Sequence, residues 1–357
     1  MRKDIGLGMS AAASWAWGTS LVVGMQIARQ KGLGAWTVWA AANTLALPLF
    51  GELARRGLLG PHVFNRPWIR RFALAIQCFC LVIQMNIIFE VLEAMGLSAW
   101  GAYAAAVGTG WLFTLLMYRH GLVTSIRTDI WQWGITMAAI LIIIGMGQYG
   151  NMPRPPFPES SGGDMLWSAW SACILLAGPV GDVQHWQRAG AAGQGRAYLW
   201  GGLFFGLYML LVLGMAHFAF NTAMNAVLLV AVLCVTSSTI DSIAVALHEI
   251  GGRRTGTAAA LSLCIFWGVF VHMGVISLWS HAGIFRVAFA LIILRLACRM
   301  RDRESEYPGI NSPRPGYATG RFHAPAGGGM SIKKTIKSAR KDLQPFSERA
   351  NTQPRQE

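Results

Sequence analysis

One apolar stretch carries a run of hydroxyl side chains and a carboxylate: VTSSTIDSIAVAL, at residues 235–247. Polar groups inside a segment of bilayer length are costly and usually serve a function. In a helix, Ser238 and Ser242 share one face, as do Ser237 and Asp241. Hydroxyl and carbonyl oxygens are hard ligands that suit Na⁺ as they suit other hard cations. The pattern therefore predicts a cation site, with packing between helices as the alternative.

Two other stretches predict breaks inside apolar helices. Residues 10–20 read SAAASWAWGTS, and residues 177–182 read AGPVGD, with Pro179 between Gly178 and Gly181. Proline and glycine interrupt a helix and release backbone polar groups. Paired interruptions in corresponding helices indicate a central binding site in secondary transporters. The alternative is that glycine and proline are simply common in membrane helices.

Further polar and aromatic residues beside these breaks are candidates for binding a solute. Gln77 and Gln84, in the third apolar segment, could line a polar pathway. Asp182 follows the second break, where it could attract a cationic solute, carry a proton, or pair with Arg188 as a structural contact. The tryptophans of the first break could face the site or pack in the core. The candidate substrate residues are Trp15, Trp17, Gly18, Gln77, Gln84, Gly178, Pro179 and Asp182.

The composition indicates which elements must hold these residues. Of 357 residues, 54% are hydrophobic and 13% are charged, against about 25% charged in soluble domains. The apolar residues form blocks of about 20, the length of a helix that crosses a bilayer. Because backbone groups in lipid must bond within their own segment, we expect an all-α membrane protein of ten transmembrane helices. The expected spans are about 6–29, 34–54, 72–95, 98–118, 124–148, 165–187, 196–218, 223–250, 256–279 and 281–300.

Basic residues are concentrated in alternate loops, which predicts cytoplasmic N- and C-termini under the positive-inside rule. The net charge of +14 is therefore interpreted as membrane topology and not as nucleic-acid binding. Residues 1–300 form the predicted core, and residues 301–357 form a predicted disordered, basic cytoplasmic tail. The six cysteines form no CxxC pair, so neither a disulfide nor a metal site is expected of them. The expected interfacial anchors are Trp36, Trp39, Trp100, Trp167 and Trp279.

Ten spans divide into five plus five. An odd number per half gives the second half an inverted topology, as in many secondary transporters. The two repeats would cover about residues 6–148 and 165–300, and the first helix of each would contain one of the two breaks. Because the chain lacks a Walker loop, HExxH and GxSxG, we expect no enzyme activity.

Three stretches resemble the solute:sodium symporter family, and most closely its urea- and polyamine-transporting branch. Residues 10–36, beginning SAAASWAWGTS, resemble the first core helix. GDVQHWQRAGAAG, at residues 181–193, resembles the end of the broken sixth core helix, and SSTIDSIAVAL, at residues 237–247, resembles the eighth. The resemblance implies a LeuT-type fold with helices 1 and 6 broken, reduced here to the ten core helices, because typical members carry further helices around this core.

The resemblance also implies Na⁺ as the coupling ion. The family's sodium site uses backbone carbonyls of the first helix and hydroxyls of the eighth. By motif position these would be Ala13 and Ala16, then Ser238 and Thr239, with Ser237 as an alternative if the register differs by one. An acid in the fifth helix lies near this site in some members, and Asp129 matches it.

The expected function is sodium-coupled symport of a small polar or cationic solute by alternating access in the cell's inner or plasma membrane. The solute would be urea-like, polyamine-like or amino-acid-like. Proton-coupled transport through Asp182 is one alternative, and a non-transporting membrane sensor or assembly partner is another. The expected partners are this solute and membrane lipid, and neither the solute's identity nor the oligomeric state follows from the sequence.

Overall fold

The computed structural model describes residues 2–59, 66–192 and 195–306 of the chain. Every regular element in these ranges is helical, which confirms the expected all-α class. The helices are α1 (Arg2–Trp15), α2 (Gly18–Arg55), α3 (Pro67–Ala94), α4 (Ala99–Tyr149), α5 (Gly162–Gly181), α6 (Val183–Ala192), α7 (Arg196–Ala216), α8 (Thr222–Gly251), α9 (Arg253–Phe266) and α10 (Val275–Glu306). A 3₁₀ segment, Trp267–Met273, joins α9 to α10. The predicted tail lies outside the described residues from residue 307 onward.

Eight helical segments in the described ranges are long and apolar enough to cross a membrane, with α4 counted as two segments, Ala99–Tyr118 and Gly121–Tyr149. The pair α5–α6, bent by 56°, makes a ninth when it is counted as one span. The chain is therefore a multi-pass α-helical membrane protein. The expected count of ten is not reproduced, because α2 extends through the end of the first predicted segment and all of the second. α1 has 14 residues and is too short to cross a bilayer alone.

Two long helices bend at a glycine. In α2, Gly32 has φ 82°, and in α4, Gly121 has φ 64°. These angles lie in the left-handed region, which glycine adopts without the steric cost of a side chain. Gly32 and Gly121 lie two and three residues, respectively, before the predicted spans that begin near residues 34 and 124. Each glycine thus interrupts its helix close to the boundary between two predicted spans.

Three helices begin at a side chain that accepts a backbone N–H bond. Ser98 caps α4 by accepting from the amide of Gly101 at 3.2 Å. Ser161 and Asp164 form a reciprocal capping box at the start of α5. Asn221 caps α8 by accepting from Met224 at 2.9 Å. Each cap satisfies one of the amides that a helix N-terminus leaves unpaired.

Close approach between helices positions the first break. A Cβ on Gly8 would lie 2.6 Å from the Cβ of Trp200, so α1 and α7 pack backbone to backbone at this point. A Cβ on Gly18 would lie 2.6 Å from Cγ2 of Thr236 in α8 and 2.8 Å from Cγ2 of Ile87 in α3. Small residues allow such contacts in membrane bundles. The start of α2 is therefore held tightly against α3 and α8.

Candidate functional site

The first break lies between α1 and α2. Trp17 has extended backbone angles, φ −57° and ψ 155°. Its amide donates to the carbonyl of Trp15 at 2.8 Å, and the amide of Ser20 donates to the carbonyl of Trp17 at 2.8 Å. The regular ladder of helical hydrogen bonds is thus interrupted at Ala13 and Ala16, the two residues whose carbonyls the family resemblance implicates.

The second break lies at Asp182, between α5 and α6. This residue has φ −111° and ψ 107°, and its side chain is buried. Its carboxylate accepts from Nε2 of Gln77 at 3.0 Å and from Nε2 of Gln184 at 2.5 Å. The same Gln184 nitrogen lies 3.4 Å from the carbonyl of Ser14 in α1. Gln184 therefore connects the second break to the end of α1.

Gln84 binds the backbone of the first break. Its Oε1 accepts from the amide of Gly18 at 3.2 Å, which satisfies one of the unpaired donors at the start of α2. Gln77 and Gln84 thus each support one break, although they lie on the same helix. Both side chains are fully buried.

The guanidinium of Arg188 lies in the interior beside both breaks. Its Nη2 contacts Oδ2 of Asp129 at 2.6 Å, and its Nε donates to Oγ of Ser10 at 3.0 Å. Its Nη1 donates to the carbonyl of Gln184 at 3.1 Å. Arg188 is 1% exposed and Asp129 is fully buried. The considered pairing of Arg188 with Asp182 is wrong, because the ionic partner of Arg188 is Asp129.

Helix α8 completes this group of polar side chains. Ser238 donates to Oδ1 of Asp129 at 2.6 Å, and Ser242 accepts from Nη2 of Arg188 at 2.8 Å. A second carboxylate, Asp241, accepts hydrogen bonds from three hydroxyl groups of α4 and α8. We call the whole group the Arg188 cluster; it consists of Ser10, Ser125, Thr128, Asp129, Arg188, Ser238, Asp241 and Ser242.

The structure brings together part of the expected sodium ligands. Ser238 and Asp129 are in direct contact. Thr239 donates to the carbonyl of Val235 in its own helix at 3.0 Å. Ser237 accepts from Nε2 of Gln132 at 2.9 Å. The cation that contacts Asp129 is a side chain of the protein itself.

A narrow cavity lies beside the Trp15–Trp17 turn. Its volume of about 10 Å³ is room for about one water molecule. Its lining residues are Trp15, Trp17, Thr19, Ser20, Trp39, Asn43, Leu175, Trp279 and Arg286. Trp39 and Trp279 are buried, as is Trp36, so the expectation that these three residues anchor the chain at a membrane interface is wrong. Gly178 contacts this wall, since a Cβ there would lie 2.3 Å from Cη2 of Trp15.

Arg286 gives the cavity a positive charge. Its guanidinium lies 4.1 Å from the ring centroid of Trp17, and its Nη2 donates to Sγ of Cys80 at 2.7 Å. The stem of Arg286 packs against Gly181, the last residue of α5. Three N–H groups at this wall have no acceptor among the described residues: Nε of Arg286 and the indole nitrogens of Trp17 and Trp39. Arg286 therefore connects the two breaks at the cavity wall.

Sequence reasoning did not select Arg188 or Arg286. It considered Arg188 at the site only as a structural partner of Asp182, and it did not single out Arg286, which lies within the expected span at about 281–300. Both side chains are buried, at 1% and 2% exposure. A signal was present, because a charged residue within an apolar segment is itself an indication of a functional site.

Comparison with solved structures finds distant similarities. No protein-family model matches the chain, and no curated protein matches it. A solved structure that resembles it is the manganese transporter of Eremococcus coleocola in complex with an aromatic bis-isothiourea substituted compound. The alignment has 12% identity and a TM-score of 0.32, and it covers 85% of this chain and 71% of that one. A TM-score of this size does not establish a common fold.

Proposed function

We propose that this chain is a membrane transporter that moves a small polar solute by alternating access. The observation that carries the proposal is the pair of buried helix breaks, at Ala16–Trp17 and at Asp182, on either side of a polar, tryptophan-lined wall. Irregular backbone at membrane depth is tolerated where it lines a cavity. Matched broken helices form the central solute site in many secondary transporters.

A ten-span arrangement of two inverted repeats is part of the proposal. If the bends at Gly32 and Gly121 mark membrane surfaces, α2 and α4 each contribute two segments. The broken pairs α1–α2 and α5–α6 then become the first and sixth of ten spans, five apart. This agrees with the solute:sodium symporter resemblance and with a LeuT-type core. Cytoplasmic termini in an inner or plasma membrane remain the prediction from loop charge.

The cavity wall favours a solute that accepts hydrogen bonds. Nε of Arg286 and the indole nitrogens of Trp17 and Trp39 lack an acceptor among the described residues. Arg286 interacts electrostatically with Asp182, but of these two groups only Arg286 lines the cavity, where its guanidinium repels a cation at close range. Buried donors are satisfied best by a carbonyl or carboxylate oxygen. Among the expected solutes, a urea-like or amino-acid-like molecule therefore fits better than a polyamine. The cavity must widen to admit it, which alternating access would supply.

Uptake into proteoliposomes tests the proposal. Purified protein would be reconstituted and offered labelled urea, neutral amino acids and putrescine, with and without inward Na⁺ or H⁺ gradients. We expect saturable entry of urea or an amino acid, and a much smaller rate for putrescine. Arg286→Lys keeps the charge but loses the planar fork, so it should weaken solute affinity more than it changes the maximal rate. Entry no faster than into protein-free vesicles for every solute would exclude transport of these classes.

The family resemblance implies a more specific proposal, in which solute transport is coupled to the movement of Na⁺. The interrupted ladder at Ala13 and Ala16 and the contact between Ser238 and Asp129 support it. Arg188 opposes it, because its guanidinium already neutralises the Asp129 carboxylate. Proton coupling through Asp182 is tested by Asp182→Asn, which should stop coupled transport and spare solute binding.

A further inference from the structure

The Arg188 cluster has the composition of a cation site in which the cation is a side chain. Its oxygens come from three helices, α1, α4 and α8, and converge on one guanidinium. Carboxylate and hydroxyl oxygens are the ligands that hard cations prefer. Arg188 extends into them from α6, the ten-residue helix that follows the second break.

We propose that the guanidinium of Arg188 permanently takes the place of a metal cation beside Asp129, one of the residues that the family resemblance assigns to Na⁺, so that Na⁺ does not bind there in the intact chain. For transport, which rests on the proposed function, the consequence is that solute movement does not depend on a Na⁺ gradient. Removal of the Arg188 side chain would expose a latent sodium site.

The hydrogen bonds of Asp129 explain why Na⁺ is excluded. Its Oδ2 contacts Arg188 at 2.6 Å and Ser10 at 2.5 Å, and its Oδ1 accepts from Ser238 at 2.6 Å. Both hydroxyl groups thus direct their protons at the carboxylate. A sodium ion bound to Asp129 would lie close to the guanidinium, and the two cations would repel each other strongly in the low dielectric of the interior.

The same geometry explains why the site would bind Na⁺ if the Arg188 side chain were removed. Asp129 would remain beside Ser10 and Ser238, and Asp241 would remain close by, bonded to Ser125 at 2.9 Å. Removal of the guanidinium would leave Asp129 as an uncompensated buried charge, which is strongly destabilising, and a bound Na⁺ would relieve that cost.

Thermal stability of the full chain in detergent tests the proposal without any transport assay. Melting temperatures would be measured in NaCl and in choline chloride at equal ionic strength. We expect the unaltered protein to melt at the same temperature in both salts. Arg188→Ala should melt lower in choline, and its melting temperature should rise saturably, by about 3 °C, between about 1 and 150 mM Na⁺.

Two variants make the result specific. Arg286→Ala removes the other buried guanidinium, which lies outside the Arg188 cluster, so its melting temperature should not respond to Na⁺. The double variant Arg188→Ala/Asp129→Asn should lose the Na⁺ response of the single variant. A folded Arg188→Ala protein that melts alike in Na⁺ and choline would overturn the proposal.

The unaltered protein gives a second test if Arg188→Ala does not fold. A saturable Na⁺-dependent rise in its melting temperature that Ser238→Ala abolishes would place Na⁺ in the intact cluster and refute the proposal. The same temperature in Na⁺ and choline supports it. These outcomes are separate from the proposed function, since the absence of solute uptake in proteoliposomes would leave the stability comparison unchanged.

Discussion

Replacement of Gly178 by alanine tests how the second break holds the cavity wall. A Cβ at this position would lie 2.3 Å from Cη2 of Trp15. The indole cannot move away freely, because its Nε1 donates to the carbonyl of Asn43 at 3.2 Å and its ring packs edge-on against His185, with centroids 5.5 Å apart. Either Trp15 leaves its hydrogen bond or α5 shifts outward.

Three contributions determine the change in the free energy of unfolding, and two of them are destabilising. Overpacking of a filled interior costs about 1–3 kcal/mol. Loss of the indole hydrogen bond costs about 1 kcal/mol. Alanine gains about 1 kcal/mol over glycine within a helix. The net loss is about 2 kcal/mol, which lowers the melting temperature of a core of this size by about 3 °C.

Thermal unfolding in detergent, followed by tryptophan fluorescence, measures this change. Gly134→Ala is the matched control: this glycine is also within a membrane helix, and a Cβ there would meet nothing within 4 Å. The control should melt at the same temperature as the unaltered protein or slightly higher. If both variants shift by the same amount, the contact with Trp15 does not determine stability and the reasoning fails.

Three further substitutions should lower the midpoint of chemical or thermal unfolding. Asp129→Asn leaves the buried charge of Arg188 without its ionic partner, and we expect a loss of about 3–5 kcal/mol. Gln84→Ala removes the acceptor of the Gly18 amide, and we expect a loss of about 1–3 kcal/mol. Gly32→Ala combines a positive φ with a Cβ placed 2.1 Å from a loop carbonyl, and we expect a loss of at least about 2 kcal/mol.

Each of these substitutions has a control at an exposed position. Glu52→Gln alters an ion pair on the surface, which contributes little to stability. Gln30→Ala removes an exposed amide from α2. Gly57 also has a positive φ, but a Cβ there would meet nothing within 4 Å. Gly57→Ala should therefore cost less than Gly32→Ala, and equal losses would contradict the steric argument.

Hydropathy was sufficient to predict helices of membrane length, but not how they are joined. The predicted spans beginning near residues 34 and 124 start just beyond Gly32 and Gly121, so the polar interruptions were found correctly. Whether such an interruption becomes a loop or a bend depends on packing. At Gly32 the backbone carbonyl of Pro158 in the same chain approaches so closely that only a residue without a side chain fits. A local sequence pattern does not contain that contact.

The rotation of each helix about its own axis could not be predicted from the sequence either. Trp39 and Trp279 were expected at a membrane surface because they lie near the ends of apolar blocks. A block end gives the depth of a residue but not the direction of its side chain. Both residues lie toward the bundle interior and line the cavity beside Arg286.

The pairing of Arg188 shows why a helix break also weakens inference from spacing. Asp182 and Arg188 are six residues apart, and a contact between them was considered on the basis of that proximity. Asp182, however, is the non-helical residue at a 56° bend, so helical periodicity does not extend across it. Its carboxylate is satisfied by Gln77 and Gln184, and Arg188 is left to bond a carboxylate 59 positions earlier. The two charged sites nevertheless remain linked through Gln184, whose side chain bonds Asp182 and whose carbonyl accepts from Arg188.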